Sequence, residues 1–197
     1  MQFKSYKDPS HTPWGAPDYR RELIPGVVFL GTPSHGGFWI SEQRRKVMHG
    51  ALCLDSPWYE EDVNWSLIYL AFPKEIQQAE PEKFFRRYVA AIQTVKNWLP
   101  EMYEEFFRVT IPHGQSYIKD KNTFLRVNEG KLAVFSAVGV DNGMVKVCAG
   151  KIDPEADDFR GIDTKSKLEF LVPKADYDQR GNFSFIVDPD KYEMVGA

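Results

Sequence analysis

The chain is poor in cysteine: Cys53 and Cys148 are the only two in 197 residues. They stand far apart, outside any Cys-x-x-Cys or zinc-ribbon spacing, so neither a disulfide framework nor a cysteine-based zinc site is written into the sequence. Two reduced, mostly buried thiols are expected. Long hydrophobic runs are missing too. No stretch approaches the roughly 20 apolar residues that span a bilayer, and Met1 to Pro9 lack the apolar centre of a secretory signal. A protein that does not engage membranes and works where it is made, in the cytoplasm, is the expectation. Charge of one sign is scarce: 25 basic against 28 acidic residues leave a net charge of −3. Such a balance provides no global field to draw in nucleic acid or anionic lipid, although a local basic patch is compatible with it. The sequence contains no His-Glu-x-x-His, no Gly-x-Ser-x-Gly, no phosphate-binding P-loop and no dinucleotide fingerprint, and it has no internal repeat.

Chemically capable groups are instead concentrated in two neighbouring segments, Thr32-Pro33-Ser34-His35-Gly36-Gly37-Phe38-Trp39 and Trp58-Tyr59-Glu60-Glu61-Asp62-Val63-Asn64-Trp65. Between them they gather an imidazole, three carboxylates, two adjacent glycines and several large aromatics.

Residues 1–20, broken by three prolines and a glycine, read as an irregular arm anchored by Trp14 and Tyr19. Val27 to Leu30 and Phe38 to Ile40 read as a hairpin with a longer loop. Ser41 is an N-cap signal with Glu42 in the first turn, predicting a short helix to about His49. Ser56-Pro57 reads as a second helix start, with Trp58, Asp62, Trp65, Tyr69 and Phe72 on one stripe and Pro73 as the stop. From Pro81 to Leu99 the spacing of Phe84, Phe85, Tyr88, Val89, Ile92 and Val95 predicts an amphipathic helix, followed by a short one over residues 101–107. Beyond Pro112 the period changes from 3.6 to 2. Leu132 to Val140 and Met144 to Ile152 flank Asp141-Asn142-Gly143, a strong hairpin signal, and Leu168 to Val172 and Phe183 to Val187 read as further strands, with Thr123 to Val127 as another candidate. The expectation is an α+β fold: an N-terminal hairpin and helices, residues 1–112, packed with an antiparallel sheet or small barrel over 113–197, either as two parts or one compact domain.

His35 lies in a loop where glycines admit close approach of a ligand and where backbone N–H groups could hold an anion. Its imidazole suits acid–base work or metal ligation, and equally a plain hydrogen bond to a carbonyl. Glu61 and Asp62 are candidate bases or metal ligands; as neighbours on a first helical turn they also suit the helix dipole. On an aromatic stripe Asp62 would be buried and would need a partner. Catalytic candidates are therefore His35, Glu61 and Asp62, and binding candidates are Ser34, Gly36, Gly37, Trp39, Trp58 and Tyr59. No metal site is assigned: His49 and Cys53 stand four apart, but two ligands do not make a zinc site. The acidic loop holding Asp153, Glu155, Asp157, Asp158 and Asp163 does not fit the calcium-binding EF-hand pattern and reads as solvated. Arg44, Arg45, Lys46, Arg86 and Arg87 read as helix surface, with single-strand stacking as the alternative.

His35-Gly36-Gly37-Phe38-Trp39-Ile40-Ser41, Trp58-Tyr59-Glu60-Glu61-Asp62-Val63-Asn64-Trp65 and Ala71-Phe72-Pro73 together resemble an uncharacterised domain-of-unknown-function family of phage, plasmid and bacterial proteins. The likeness covers about residues 26–73. Val63 stands where that family is associated with cysteine. The resemblance implies a phage or mobile-element protein acting inside a bacterium, with no activity or cofactor attached. Together with the incomplete catalytic set, it suggests a protein that binds a host or defence protein, or a nucleic-acid complex, as an anti-defence inhibitor would. The alternative is a small hydrolase or nuclease-like enzyme using His35 with Glu61 and Asp62.

Overall fold

The computed structural model describes residues 9–156 and 159–196. It has an α+β architecture, as expected, with two antiparallel sheets. The chain divides into two compact units, one ending at Ile118 and one beginning at Lys119.

The first unit opens with a meander of four strands, β1 (Tyr19–Ile24), β2 (Val27–Gly31), β3 (Gly36–Ile40) and β4 (Trp58–Glu60), in the order β1-β2-β3-β4. The predicted hairpin is β2–β3, with Val27 opposite Ile40 and Gly31 opposite Gly36. The arm is shorter than expected, because Tyr19 already belongs to β1. That strand carries Arg20, Arg21 and Glu22, the kind of charged edge that discourages pairing with other chains.

The helix expected at Ser56-Pro57 is instead β4. Its residues pair with Gly37, Phe38 and Trp39, and the Pro57 carbonyl accepts from the Ile40 N–H. Open backbone groups along β3 outweigh the capping signal, and the Ser56 hydroxyl accepts from the Trp58 N–H in a turn. Ser41 does cap α1 (Glu42–Val47) as expected, accepting from the Arg44 N–H.

Helices α2 (Trp65–Ala71), α3 (Pro73–Ala79), α4 (Pro81–Trp98) and α5 (Pro100–Phe107) follow in series. Three of them begin on proline, where the missing N–H costs nothing. Phe72, Glu80 and Leu99 precede those prolines with φ between −137° and −127° and ψ between 45° and 59°. Proline pushes its predecessor out of the helical region, so each Xaa-Pro step is a corner between helices. On α4 the buried residues are Ala91 and Val95, with Phe84, Tyr88 and Ile92 partly covered. Phe85 and Val89, expected on that face, point outward. They lie one step, about 100° of turn, off the stripe.

In the second unit α6 (Tyr117–Val127, starting at the boundary) occupies the region where Thr123 to Val127 suggested a strand. Strands β5 (Leu132–Val140), β6 (Met144–Lys151) and β7 (Leu168–Pro173) come next, then α7 (Lys174–Tyr177), β8 (Ile186–Val187) and β9 (Glu193–Gly196). The sheet order is β8-β5-β6-β7-β9. Asp141, Asn142 and Gly143 form a three-residue connection between the paired Val140 and Met144, and Asn142 and Gly143 both lie in the left-handed region, φ 62° and 71°, which asparagine and glycine enter most readily. Asp153 and Asp163 cap local turns through the Glu155 and Lys165 N–H groups. Asp157 and Asp158 lie outside the described residues. Cys53 and Cys148 are free and half-buried. Among the described residues no helix is long and apolar enough to cross a membrane.

Arg44, expected on a helix surface, is fully buried. Its Nε donates to the Pro25 carbonyl at 2.7 Å, and its two terminal nitrogens fork onto Glu75 at 2.8 and 2.7 Å. The guanidinium also lies over Phe72, 5.0 Å from the ring centre. Arg44→Ala is expected to cost about 2–3 kcal/mol in chemical denaturation, from the emptied buried site and the lost donor to the Pro25 carbonyl, Glu75 being 44% exposed and able to turn to solvent. Arg44→Lys should recover little, because an ammonium cannot fork.

Candidate functional site

The two motif segments meet at one end of the four-stranded sheet. Thr32 closes the β2–β3 loop on His35: its N–H and hydroxyl both donate to the His35 carbonyl at 2.8 Å, and the His35 N–H returns to the hydroxyl at 3.2 Å. β3 then starts at Gly36, and the antiparallel partner β4 ends at Glu60 beside it. The Glu61 N–H donates to the Gly36 carbonyl, which brings the carboxylate run against the histidine. His35 Nδ1 stands 3.7 Å from Glu61 Oε1, the two side chains being 34% and 40% exposed.

Gly36 and Gly37 do not form an open loop or an anion nest; both are buried in β3. What approaches them is the protein itself. A Cβ on Gly37 would lie 2.4 Å from Trp14 Cη2, 2.5 Å from the Tyr59 carbonyl oxygen and 2.9 Å from Glu60 Cα. One on Gly36 would meet the Phe29 ring at 2.9 Å and Glu61 Oε2 at 3.0 Å. The Trp14 indole fills the space over Gly37, edge-on to both His35 and Trp58, with ring centres 5.6 and 5.7 Å apart. Trp14 is thus the anchor of the arm. Tyr19, its expected companion, is 53% exposed on β1.

The three carboxylates have separate fates. Glu60, not among the expected site residues, folds back over the turn. Its Oε1 accepts from the Val63 and Asn64 N–H groups at 2.6 and 2.9 Å, and Oε2 from the Asp62 N–H. It therefore satisfies backbone donors just ahead of α2. Asp62, expected on a buried helical stripe, is exposed in that turn. Even so, one ligand atom each from His35, Glu60 and Asp62 lie within 4.8 Å of one another. Glu61 turns toward the other face of the sheet.

That other face carries a cleft of about 380 Å³. Tyr19, Phe29, Phe38, Trp65 and Tyr69 supply aromatic walls, and Arg21, Arg87 and Glu61 the polar ones. Its polar network centres on Glu80, whose side chain is 6% exposed. Arg21 and Arg87 both pair with that carboxylate. The Tyr69 hydroxyl donates to it at 3.1 Å and accepts from Arg87 at 2.8 Å. Two guanidinium groups and a phenol thus solvate one buried carboxylate, the condition for keeping such a charge inside.

Of the binding candidates, Ser34 is exposed at the loop tip, and Trp39 and Trp58 are half-buried cross-strand neighbours. Tyr59 cannot touch a partner, because it is fully buried. Its hydroxyl accepts from the Leu54 N–H at 3.0 Å, and burial pushes its pKa up to about 12. His49 and Cys53 share no ligand geometry: His49 Nδ1 accepts from the Ala51 N–H to cap a short 3-10 turn.

The sequence profile of a domain of unknown function, DUF7007, matches residues 7–129, more than half of the chain. The chain belongs to this family. The matched segment of the DUF7007 protein holds the described arm from Pro9, the whole four-stranded sheet, helices α1 to α6 and the cleft. It contains every motif on which the resemblance to a domain-of-unknown-function family rests. No curated protein and no solved structure matches the chain.

Close packing at Gly37 predicts that Gly37→Ala destabilises the protein by about 1–3 kcal/mol, the usual cost of overpacking. Gly139→Ala, with nothing within 4 Å of its added methyl, should be neutral or mildly stabilising. Thermal denaturation of the pair separates a packing effect from a generic glycine effect.

Proposed function

We propose that this protein is a binding protein of phage or mobile-element type that takes an apolar side chain of a host or defence protein into the aromatic cleft of its first unit. The observation that carries the reading is the cleft: five aromatics around about 380 Å³, rimmed by two guanidinium groups and a carboxylate. Aromatic-lined pockets with a polar rim are where a partner's anchor residue contributes most. Charge decides between a protein and a nucleic-acid partner. Arg21 and Arg87 are both committed to Glu80, whereas phosphate backbones are held by cations that can neutralise them. The setting, a bacterial cytoplasm and an anti-defence role, is supported by the motif resemblance.

A second reading draws on the His35–Glu61 approach of 3.7 Å. An imidazole facing a carboxylate beside a cleft is the layout of an acid–base pair, and a small hydrolase or nuclease-like activity would use it. Under that reading, chromogenic ester or phosphodiester substrates turn over, and His35→Ala lowers the rate by about 100-fold or more.

The binding reading is tested by capture from bacterial host lysate with three proteins: wild type, Tyr19→Glu at the cleft rim and Phe85→Glu on α4. Both substituted residues are largely exposed, 53% and 77%, so the fold is preserved. The expected result is one partner retained by wild type and Phe85→Glu and lost about tenfold or more with Tyr19→Glu. Equal capture by all three, or none by the wild type, contradicts the proposal.

A further inference from the structure

Charge compensation differs sharply between the two faces of the sheet. Glu80 is matched by two arginines, but no lysine or arginine among the described residues pairs with Glu60, Glu61 or Asp62. Two carboxylates of that run, from Glu60 and Asp62, converge with the His35 imidazole to within 4.8 Å. No described side chain or backbone group hydrogen-bonds either ring nitrogen of His35 or the Asp62 carboxylate.

From this convergence we infer that His35, Glu60 and Asp62 form a binding site for one divalent transition-metal ion of the Mn²⁺ or Zn²⁺ kind. One imidazole and two carboxylates are a mixed nitrogen–oxygen donor set, which suits those ions better than Mg²⁺ or Ca²⁺ with their oxygen-only preference. The two negative charges match a dication. Metal–ligand bonds of about 2.0–2.2 Å place donors roughly 3–4 Å apart, so from a spread of up to 4.8 Å closing the site takes a shift of at most about 1–2 Å. Asp62, exposed in its turn, is free to make that shift. The other two ligands are held. Glu60 is oriented by the Asp62, Val63 and Asn64 N–H groups and keeps a lone-pair direction free, since a carboxylate has about four acceptor sites. His35 is fixed at its backbone by Thr32 and at its ring by the edge of Trp14. For Glu60 these are the hydrogen bonds behind a ligand that orient it in metal sites generally; the His35 ring is held by packing alone. Three protein ligands leave at least one coordination position open. The site does not rest on the cleft reading, since a different set of residues forms it.

Titration of the full-length protein with MnCl₂, followed by loss of the free-ion electron paramagnetic resonance signal, tests the assignment. ZnCl₂ serves as competitor and the melting temperature as second readout. One ion per chain should bind, with a dose-dependent rise in melting temperature. Asp62→Asn and His35→Gln should each weaken binding at least tenfold, and Asp62→Asn, exposed in its turn, should leave the metal-free melting temperature in place. Asp153→Asn, in the acidic loop of the second unit, should bind like wild type. No saturable binding at millimolar Mn²⁺ or Zn²⁺ would overturn the site. So would binding that survives Asp62→Asn, or binding that is lost with Asp153→Asn.

Discussion

The structure of the first unit depends on one close approach: backbone and indole packed against two residues that have no side chain. Gly36 and Gly37 let the Tyr59–Glu60 backbone, the Trp14 ring and the Glu61 carboxylate sit where any Cβ would intrude. Three pieces far apart in sequence, the arm, the β2–β3 loop and the turn ahead of α2, are joined there. Neither glycine has a left-handed φ, so their value is space and not conformational freedom. This reverses the usual reading of a Gly-Gly pair in a loop, where the gain is backbone latitude for a ligand.

From that joint the chemistry divides between the two faces of one sheet. On the cleft face, a buried carboxylate at Glu80 is fully matched by guanidinium and phenol donors, leaving an aromatic hollow with balanced charge. At the sheet end, His35 faces carboxylates that no lysine or arginine among the described residues pairs with. Glu61 belongs to both, lining the cleft while standing 3.7 Å from His35. Arg44 supports the arrangement from below: it ties the β1–β2 turn at Pro25 to α3 at Glu75 and so holds the sheet against the helices.

Much of this was legible in the sequence wherever a signal was local. The Val27-to-Ile40 hairpin, the Ser41 cap, the amphipathic run from Pro81 and the Asn142-Gly143 turn each follow from spacing or turn chemistry within a few residues. The misread elements were decided by partners distant in the chain. Ser56-Pro57 has the form of a helix start, but the edge of β3 claimed Trp58 to Glu60 as a strand. Asp62 consequently left the aromatic stripe and came out into solvent. Arg44 carries a surface-like sequence context and is buried because Pro25, Phe72 and Glu75 converge on it. Of the site, His35, Glu61 and Asp62 were visible as chemistry. Glu60 was passed over, since its role rests on a turn that the helix reading did not contain. The cleft was hidden because its walls come from β1, β2, β3, α2 and α4.

The central claim is that arm, loop and turn form one joint around the two glycines, with His35 held in it by Trp14. The most direct measurement is the position of the four histidine ring signals in a two-dimensional NMR spectrum, compared between wild type and Trp14→Leu. An indole whose ring centre lies 5.6 Å from that of an imidazole shifts the imidazole's ring protons. The account predicts that the His35 signals move while those of His49 and His113 stay in place. His35 signals unchanged by the loss of Trp14 would contradict it.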